Sequence, residues 1–201
     1  MDSYGKRILA MTAACAMALF TLSACGASEE KVTSIAIGKD GKVTNVIYEG
    51  FGEESYDIKE LSDMAASEIS EYNVEYSAPK IALEKAELVE DDTFARLTMT
   101  YESASDYSHF NQISLFYGTI EEAQNKGYSI SGSLVNSAGE KIEESYLEDH
   151  KDRHIIITSD KSNIKAPYNI EYMSGGVSLV DKKEADLSAV TADTVQLLLS
   201  K

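Results

Sequence analysis

Residues 94–101 alternate along the chain. Ala95, Leu97, Met99 and Tyr101 fall on one side, with Phe94, Arg96, Thr98 and Thr100 on the other. A period of two is what a strand with one buried face requires, and it predicts a strand over Thr93–Tyr101. Two further β-rich runs, Val32–Ile37 and Lys42–Tyr48, flank Gly38-Lys39-Asp40-Gly41. A glycine-bounded turn between such runs predicts a hairpin. Between Asp57 and Tyr72 the period lengthens: Ile58, Leu61, Ala65, Ile69 and Tyr72 recur at helical spacing and would line one face of a helix. Asp57 with Glu60 resembles a capping box, Ser55 is an alternative cap, and Asn73 is the expected stop.

The rest of the pattern is shorter-ranged. Ile81–Val89 reaches the alternating strand through the polar turn Glu90-Asp91-Asp92, but its Glu, Lys, Ala and Leu residues would also support a helix. Ser105–Asn111 reads as a helical turn and Ile113–Tyr117 as a buried strand. Thr119-Ile120-Glu121-Glu122 opens a brief helix by a capping box, with Gly127 closing it. Strands are expected at Tyr128–Val135, His154–Ser159, Tyr168–Met173 and Val177–Asp181, with Gly175-Gly176 joining the last two as a hairpin. Thr194–Ser200 fits a closing strand or a final helical turn. Strands with helices interspersed predict an α+β fold: a single domain with a mainly antiparallel sheet and two or three short helices.

The N-terminus departs from this pattern. Lys6 and Arg7 precede Ile8–Leu22, a stretch without a charge. A membrane-spanning helix needs about 20 apolar residues, so the stretch is short for a span and fits the apolar region of a secretory signal. Small residues Ser23 and Ala24 then lead to Cys25. Leu22-Ser23-Ala24-Cys25 resembles the lipobox of bacterial lipoprotein precursors. That resemblance implies cleavage between Ala24 and Cys25 and a diacylglyceryl thioether on Cys25. Cys15, in Thr12-Ala13-Ala14-Cys15, is a poorer match and reads as a small hydrophobe of the signal. Acyl burial contributes about 0.8 kcal/mol per CH₂, and a single chain holds only marginally, so two or three chains make the attachment firm.

The organisation expected from this is a signal peptide over 1–24, a lipidated tether over 25–31 and one extracytoplasmic domain over 32–201. The tether after Cys25 spans roughly 20 Å at full extension, which keeps the domain near the bilayer. The chain of 201 residues has 18 Lys+Arg against 34 Asp+Glu, a formal charge of −16. Removing 24 residues takes away Asp2, Lys6 and Arg7, leaving 177 residues at −17. Such a body lacks the positive footprint that nucleic acid requires, and anionic headgroups repel it. Cys15 and Cys25 are the whole cysteine inventory. With Cys25 modified, no disulfide can form.

No motif in the mature chain selects a chemistry. His150 and His154 stand four apart and are the candidate metal ligands, with Glu148 or Asp149 nearby. Ile155-Ile156-Ile157 follows at once, so His154 is expected to begin a strand and the stretch before it to be a solvated turn. The neighbours Ser108 and His109 are not a catalytic pair, since a triad is assembled from separate segments; Tyr107 and Phe110 are expected to anchor that turn in the core. No G-x-S-x-G is present, and Gly50-Phe51-Gly52 runs into two acids rather than the Lys-Ser/Thr of a phosphate loop. The acidic pairs Glu53-Glu54, Glu121-Glu122, Glu143-Glu144 and Glu148-Asp149 lack calcium-loop spacing and read as solvated loops. There are 12 tyrosines and no tryptophan. Tyr48, Tyr72, Tyr101 and Tyr117 are assigned to the core, and Tyr146, Tyr168 and Tyr172 are the candidate exposed, binding tyrosines.

Tyr-Asp-Ile-Lys-Glu-Leu at 56–61, Glu-Tyr-Asn at 71–73, Asp-Tyr-Ser-His-Phe-Asn at 106–111 and Tyr-Gly-Thr-Ile-Glu-Glu-Ala at 117–123 resemble segments of uncharacterised lipoproteins of clostridial-type Gram-positive bacteria. That resemblance implies no known activity, and it supplies no catalytic residue and no cofactor. In a Gram-positive host the domain would face the wall from the outer leaflet of the cell membrane. The expectation is a lipid-anchored envelope protein acting as a non-enzymatic binding or interaction module. Its partners would be the membrane, through acyl chains on Cys25, and an envelope protein, wall component or small ligand. A cell-envelope hydrolase with a carboxylate/tyrosine site and a small solute-binding component of an importer are the alternatives.

Overall fold

A computed structural model describes residues 31–51, 57–90 and 93–201 of the chain. The signal-peptide reading, Ala24 and Cys25, the Ser55 cap, Glu53-Glu54, Gly52 and Asp91-Asp92 lie outside the described residues.

The alternating run forms strand β4 (Phe94–Tyr101), in which every second residue is buried. It lies between β2 (Val43–Gly50) and β3 (Ile81–Val89), antiparallel to both, with Tyr101 opposite Val43 and Ile81. Tertiary pairing thus decides the ambiguous Ile81–Val89 run against its helix propensity. The β3 register shifts between Leu83 and Lys85, and Glu84 accepts a hydrogen bond from Thr100 Oγ1 at 2.7 Å. Strand β1 (Ser34–Ile37) completes the expected hairpin with β2, turning where Gly41 adopts φ +84°. It also pairs in parallel with β7 (Asn163–Lys165), and β10 (Glu184–Asp186) and β9 (Ser178–Leu179) follow. The larger sheet therefore has the order β3-β4-β2-β1-β7-β10-β9.

The predicted helix is α1 (Ile58–Glu75), with Asp57 as N-cap accepting from the Lys59 N–H at 2.8 Å. Ala65 packs on Ala95 and Leu97, while Ile69 and Tyr72 enter the main core. Asn73 does not stop the helix. Its Oδ1 accepts from the backbone N–H groups of Lys80 and Ile81, and its Nδ2 donates to the Ile81 carbonyl. The residue thereby staples the last helical turn to the start of β3.

A second sheet has the order β5-β6-β11-β8, all antiparallel, with β5 (Leu115–Thr119), β6 (His154–Thr158), β11 (Val195–Leu199) and β8 (Ile170–Met173). One face contributes Leu115, Ile156, Val195, Leu197 and Met173 to a core shared with Ile35, Ile37, Val43, Ile164 and Ala185 of the larger sheet. The other face carries Phe116, Ile155, Ile157 and Leu198, and the segment between β5 and β6 covers it with Ile120, Ala123, Leu134, Ile142 and Leu147. Both faces of β11 are thus covered, and all five of its residues are buried. Its near-continuous apolar run hides the strand period, which is why the sequence left strand and helical turn equally open.

The fold is α+β, with eleven strands and four helices among the described residues. It differs from expectation in having two sheets and an 18-residue helix. The other helices are α2 (Ala104–Asn111), α3 (Ile120–Asn125) and α4 (Glu144–Asp149). The capping box of α3 is complete, with Thr119 and Glu122 bonded reciprocally. The expected hairpin around Gly175-Gly176 does not form. Strand β8 pairs with β11 and β9 with β10, so the turn, with Gly176 at φ +88°, passes the chain from one sheet to the other. The run Tyr128–Val135 is not a strand either. Val135 forms isolated bridges only, and Gln196 clamps the run from β11, donating to Ser129 O and accepting from Ser131 N–H. Tyr48 is corrected as well: it lies opposite Arg96 on the outer face of the larger sheet, half-buried, with the guanidinium 5.8 Å from its ring centroid. Val32–Lys201 clusters as one compact unit, and no described helix is long and apolar enough to cross a membrane.

Candidate functional site

The free edge of β5 opens into a polar cleft of about 340 Å³. Its floor is Ser114–Tyr117, one wall is the first turns of α2 through Ser105, Ser108 and His109, and the opposite wall is Lys126 and Tyr128. Asp40 and Gly41 from the β1–β2 turn, with Glu102, close one end. The volume stands at the small end of ligand pockets, about 300–1,000 Å³.

Local structure places these groups. Ser103 caps α2, accepting from the Asp106 N–H at 3.1 Å while its hydroxyl donates to Asp106 Oδ2 at 2.5 Å. Buried Tyr107 orients the helix, donating to Asp160 Oδ2 at 2.7 Å and meeting the Tyr101 ring edge-on at 5.1 Å. Asn111 ties the last turn to Tyr107 O and Tyr101 Oη. The expectation that Tyr107 and Phe110 anchor this turn therefore agrees with the structure. Ser108 faces β5 rather than His109: its hydroxyl donates to Leu115 O or Ala104 O and accepts from the Leu115 N–H at 2.8 Å. His109 Nδ1 instead lies 3.4 Å from Tyr76 Oη.

The two acids at the end of the cleft share one lysine. Asp40 Oδ1 accepts from the Lys42 N–H, and Glu102 Oε1 receives the Lys42 ammonium at 2.8 Å. On the far wall Phe116 and Tyr128 pack with centroids 5.1 Å apart, and Lys126 Nζ lies 5.3 Å from the Phe116 centroid. Tyr117 Oη is buried and has no hydrogen-bond partner among the described residues. Burial, reinforced by Tyr168 and Asp40, pushes its phenol up to about 12.

His150 and His154 do not converge. His150 follows α4, with Nδ1 2.8 Å from Tyr146 O and its ring stacked on Tyr146 at 4.0 Å. His154 begins β6 as expected, with Nδ1 2.8 Å from Lys201 O and its ring between Tyr117 and Tyr168. No group of three or more His, Cys, Asp or Glu among the described residues is placed to hold a metal ion.

The three candidate binding tyrosines are half-buried rather than exposed. Tyr146 and Tyr172 pack together over the second core at 5.3 Å. Tyr146 Oη donates to Glu171 Oε2 at 2.9 Å, and Arg153 Nη1 reaches the same oxygen at 2.7 Å. Burial first, then Glu171, pushes the Tyr146 phenol up to about 12, with Arg153 opposing. Tyr168 packs against the main core, with Lys39 Nζ 5.7 Å from its centroid. Sequence reasoning missed the cleft because its floor is backbone. Ile113–Tyr117 reads simply as a buried strand, and nothing in a strand's own residues announces that it lies at a sheet edge. Comparison with protein-family models, with curated proteins and with solved structures finds no match.

Proposed function

We propose that the chain is a lipoprotein of the cell envelope, held on the extracytoplasmic face of the membrane by acyl chains on Cys25, whose domain binds a ligand or partner without transforming it. The observation that carries the anchor is the order of basic start, uncharged Ile8–Leu22 and Leu22-Ser23-Ala24-Cys25. What supports binding over catalysis is the use already made of the cleft's reactive groups. Ser103 and Ser108 are committed to capping α2 and to the β5 edge, and Asp40 and Glu102 are both held by Lys42. A nucleophile needs a base within hydrogen-bond reach, and Ser108 is turned away from His109. The single unit Val32–Lys201 does not favour the two-lobed arrangement of a solute-binding importer component.

Expression with labelled palmitate tests the anchor. Wild type should incorporate label and its processing should be blocked by globomycin, while Cys25→Ser should lose both label and membrane retention. Globomycin-insensitive processing, or retention of the variant, refutes the anchor. Turnover of a wall-derived glycan or peptide by purified protein refutes the non-catalytic part and favours the hydrolase.

A further inference from the structure

The edge of β5 is closed at two of its outward rungs and open at the one between. In an antiparallel ladder, residues of one strand alternately exchange both backbone bonds with the partner strand and direct both away from it. The Ser159 N–H donates to Ser114 O and the Ile120 N–H to Arg153 O. With the register Phe116↔Ile157 and Gly118↔Ile155, this makes 114, 116, 118 and 120 the inward-bonded positions. Leu115, Tyr117 and Thr119 therefore direct their N–H and C=O groups out from the edge.

Ser108 occupies the first of these rungs, bonding both Leu115 N–H and Leu115 C=O. Glu122 Oε2 takes the Thr119 N–H at 2.8 Å. Among the described residues nothing bonds the Tyr117 N–H or C=O, and Tyr117 lines the cleft. An edge left open along its whole length invites another strand; one plugged on both sides of a single rung does not. The Tyr117 phenol, buried and without a partner among the described residues, lies on the same residue.

We propose that this cleft is a peptide-binding site, in which one residue of a short extended peptide pairs its N–H and C=O with the C=O and N–H of Tyr117. The flanking peptide groups lie between the α2 wall at Ser105 and His109 and the aromatic wall of Phe116 and Tyr128. Ser108 and Glu122 limit the pairing to that rung, so a long strand, including the edge of a second copy, is excluded. This is β-strand addition reduced to one rung: the backbone bonds hold the peptide and the walls select what flanks it. The assignment rests on reading the domain as a binding module and names the ligand class.

The test uses the processed lipoprotein in detergent micelles with ¹⁵N-labelled tyrosine, which gives one amide resonance for each of the 11 tyrosines that remain once Tyr4 leaves with the signal. The resonance missing in Tyr117→Phe identifies Tyr117. The probe is the tripeptide Ac-Ala-Ala-Ala-NH₂ at millimolar concentration, against the same peptide N-methylated at all three alanines. The expected result is that the Tyr117 amide proton moves downfield and exchanges more slowly with the first peptide, while Tyr101 stays still. N-methylation, which removes the donors for Tyr117 C=O, should weaken binding about tenfold or more, as loss of a hydrogen bond to a group then left unpaired predicts. An unmoved Tyr117 resonance, or equal binding of the methylated peptide, overturns the assignment. Hydrolysis of the probe with the Tyr117 shift intact would refute the non-catalytic reading instead, so the two failures are distinguishable.

Discussion

Two tyrosines carry buried hydroxyls in opposite circumstances, and removing each oxygen separates the value of a hydrogen bond from the value of burial. Tyr107 is 2% exposed and donates at 2.7 Å to Asp160, itself 8% exposed. Asp160 also accepts from the Ser162 N–H, and its own N–H donates to Thr158 Oγ1, so the carboxylate organises the turn from β6 to β7. Tyr107→Phe keeps the edge-on ring contact with Tyr101 but takes from the carboxylate one of its donors. A hydrogen bond to a charged group contributes about 1.5–3 kcal/mol, and the low exposure on both sides argues against replacement by water. With a urea dependence of about 2 kcal/mol per M, a loss of about 2 kcal/mol lowers the unfolding midpoint by about 1 M. Tyr117 is the control, because its oxygen is buried without a partner among the described residues. Tyr117→Phe removes an unsatisfied polar atom, so the midpoint should stay or rise. The chain has no tryptophan, so far-UV circular dichroism is the appropriate signal. Equal losses in the two variants, or none in Tyr107→Phe, would show that the Tyr107–Asp160 bond does not hold α2 to the second sheet.

Stability should fall steeply in alkali. Burial raises the Tyr101 and Tyr107 phenols above their ordinary value of 10.0, so the unfolded chain releases these protons first. Their contribution is whole below pH 10 and is lost as pH rises through the folded values. For two such groups the loss per pH unit climbs towards about 2.7 kcal/mol as the unfolded phenols become fully ionised above pH 10, and a urea midpoint unchanged between pH 9 and pH 11 would exclude it. At Gly118 a Cβ would lie 2.6 Å from Glu122 Oε2 and 2.8 Å from Phe116 Cζ. Gly118→Ala should therefore displace the carboxylate that completes the α3 capping box, destabilising by about 1 kcal/mol more in wild type than in Glu122→Ala. Additive effects in that double-mutant cycle would mean that the glycine does not make room for the cap.

What the sequence made legible follows from how much of each element's environment is local. The alternation of Phe94–Tyr101, the helical stripe from Ile58 to Tyr72 and the Thr119–Glu122 box each depend on residues within a few positions of one another, and all three form as read. Asn73 shows the limit. Asparagine is a common helix terminator because its side chain competes for backbone bonds; here those bonds go to Lys80 and Ile81, and the helix runs on to Glu75. The hairpin expected at Gly175-Gly176 failed for a similar reason. The glycines permit a reversal, but whether β8 then pairs with β9 depends on β11, which supplies an apolar edge some twenty residues later. Tyr128–Val135 has strand-like composition, yet with Val135 alone bridged the backbone at Ser129 and Ser131 is served by Gln196, a side chain more than sixty residues away. The cleft is the extreme case. It exists because β5 is the last strand of its sheet and because Ser108 and Glu122 each occupy one neighbouring rung, leaving Tyr117 open. Side-chain motifs can be read in one dimension. A free backbone rung is the remainder after every pairing has been assigned, so it becomes visible only once the whole ladder is known.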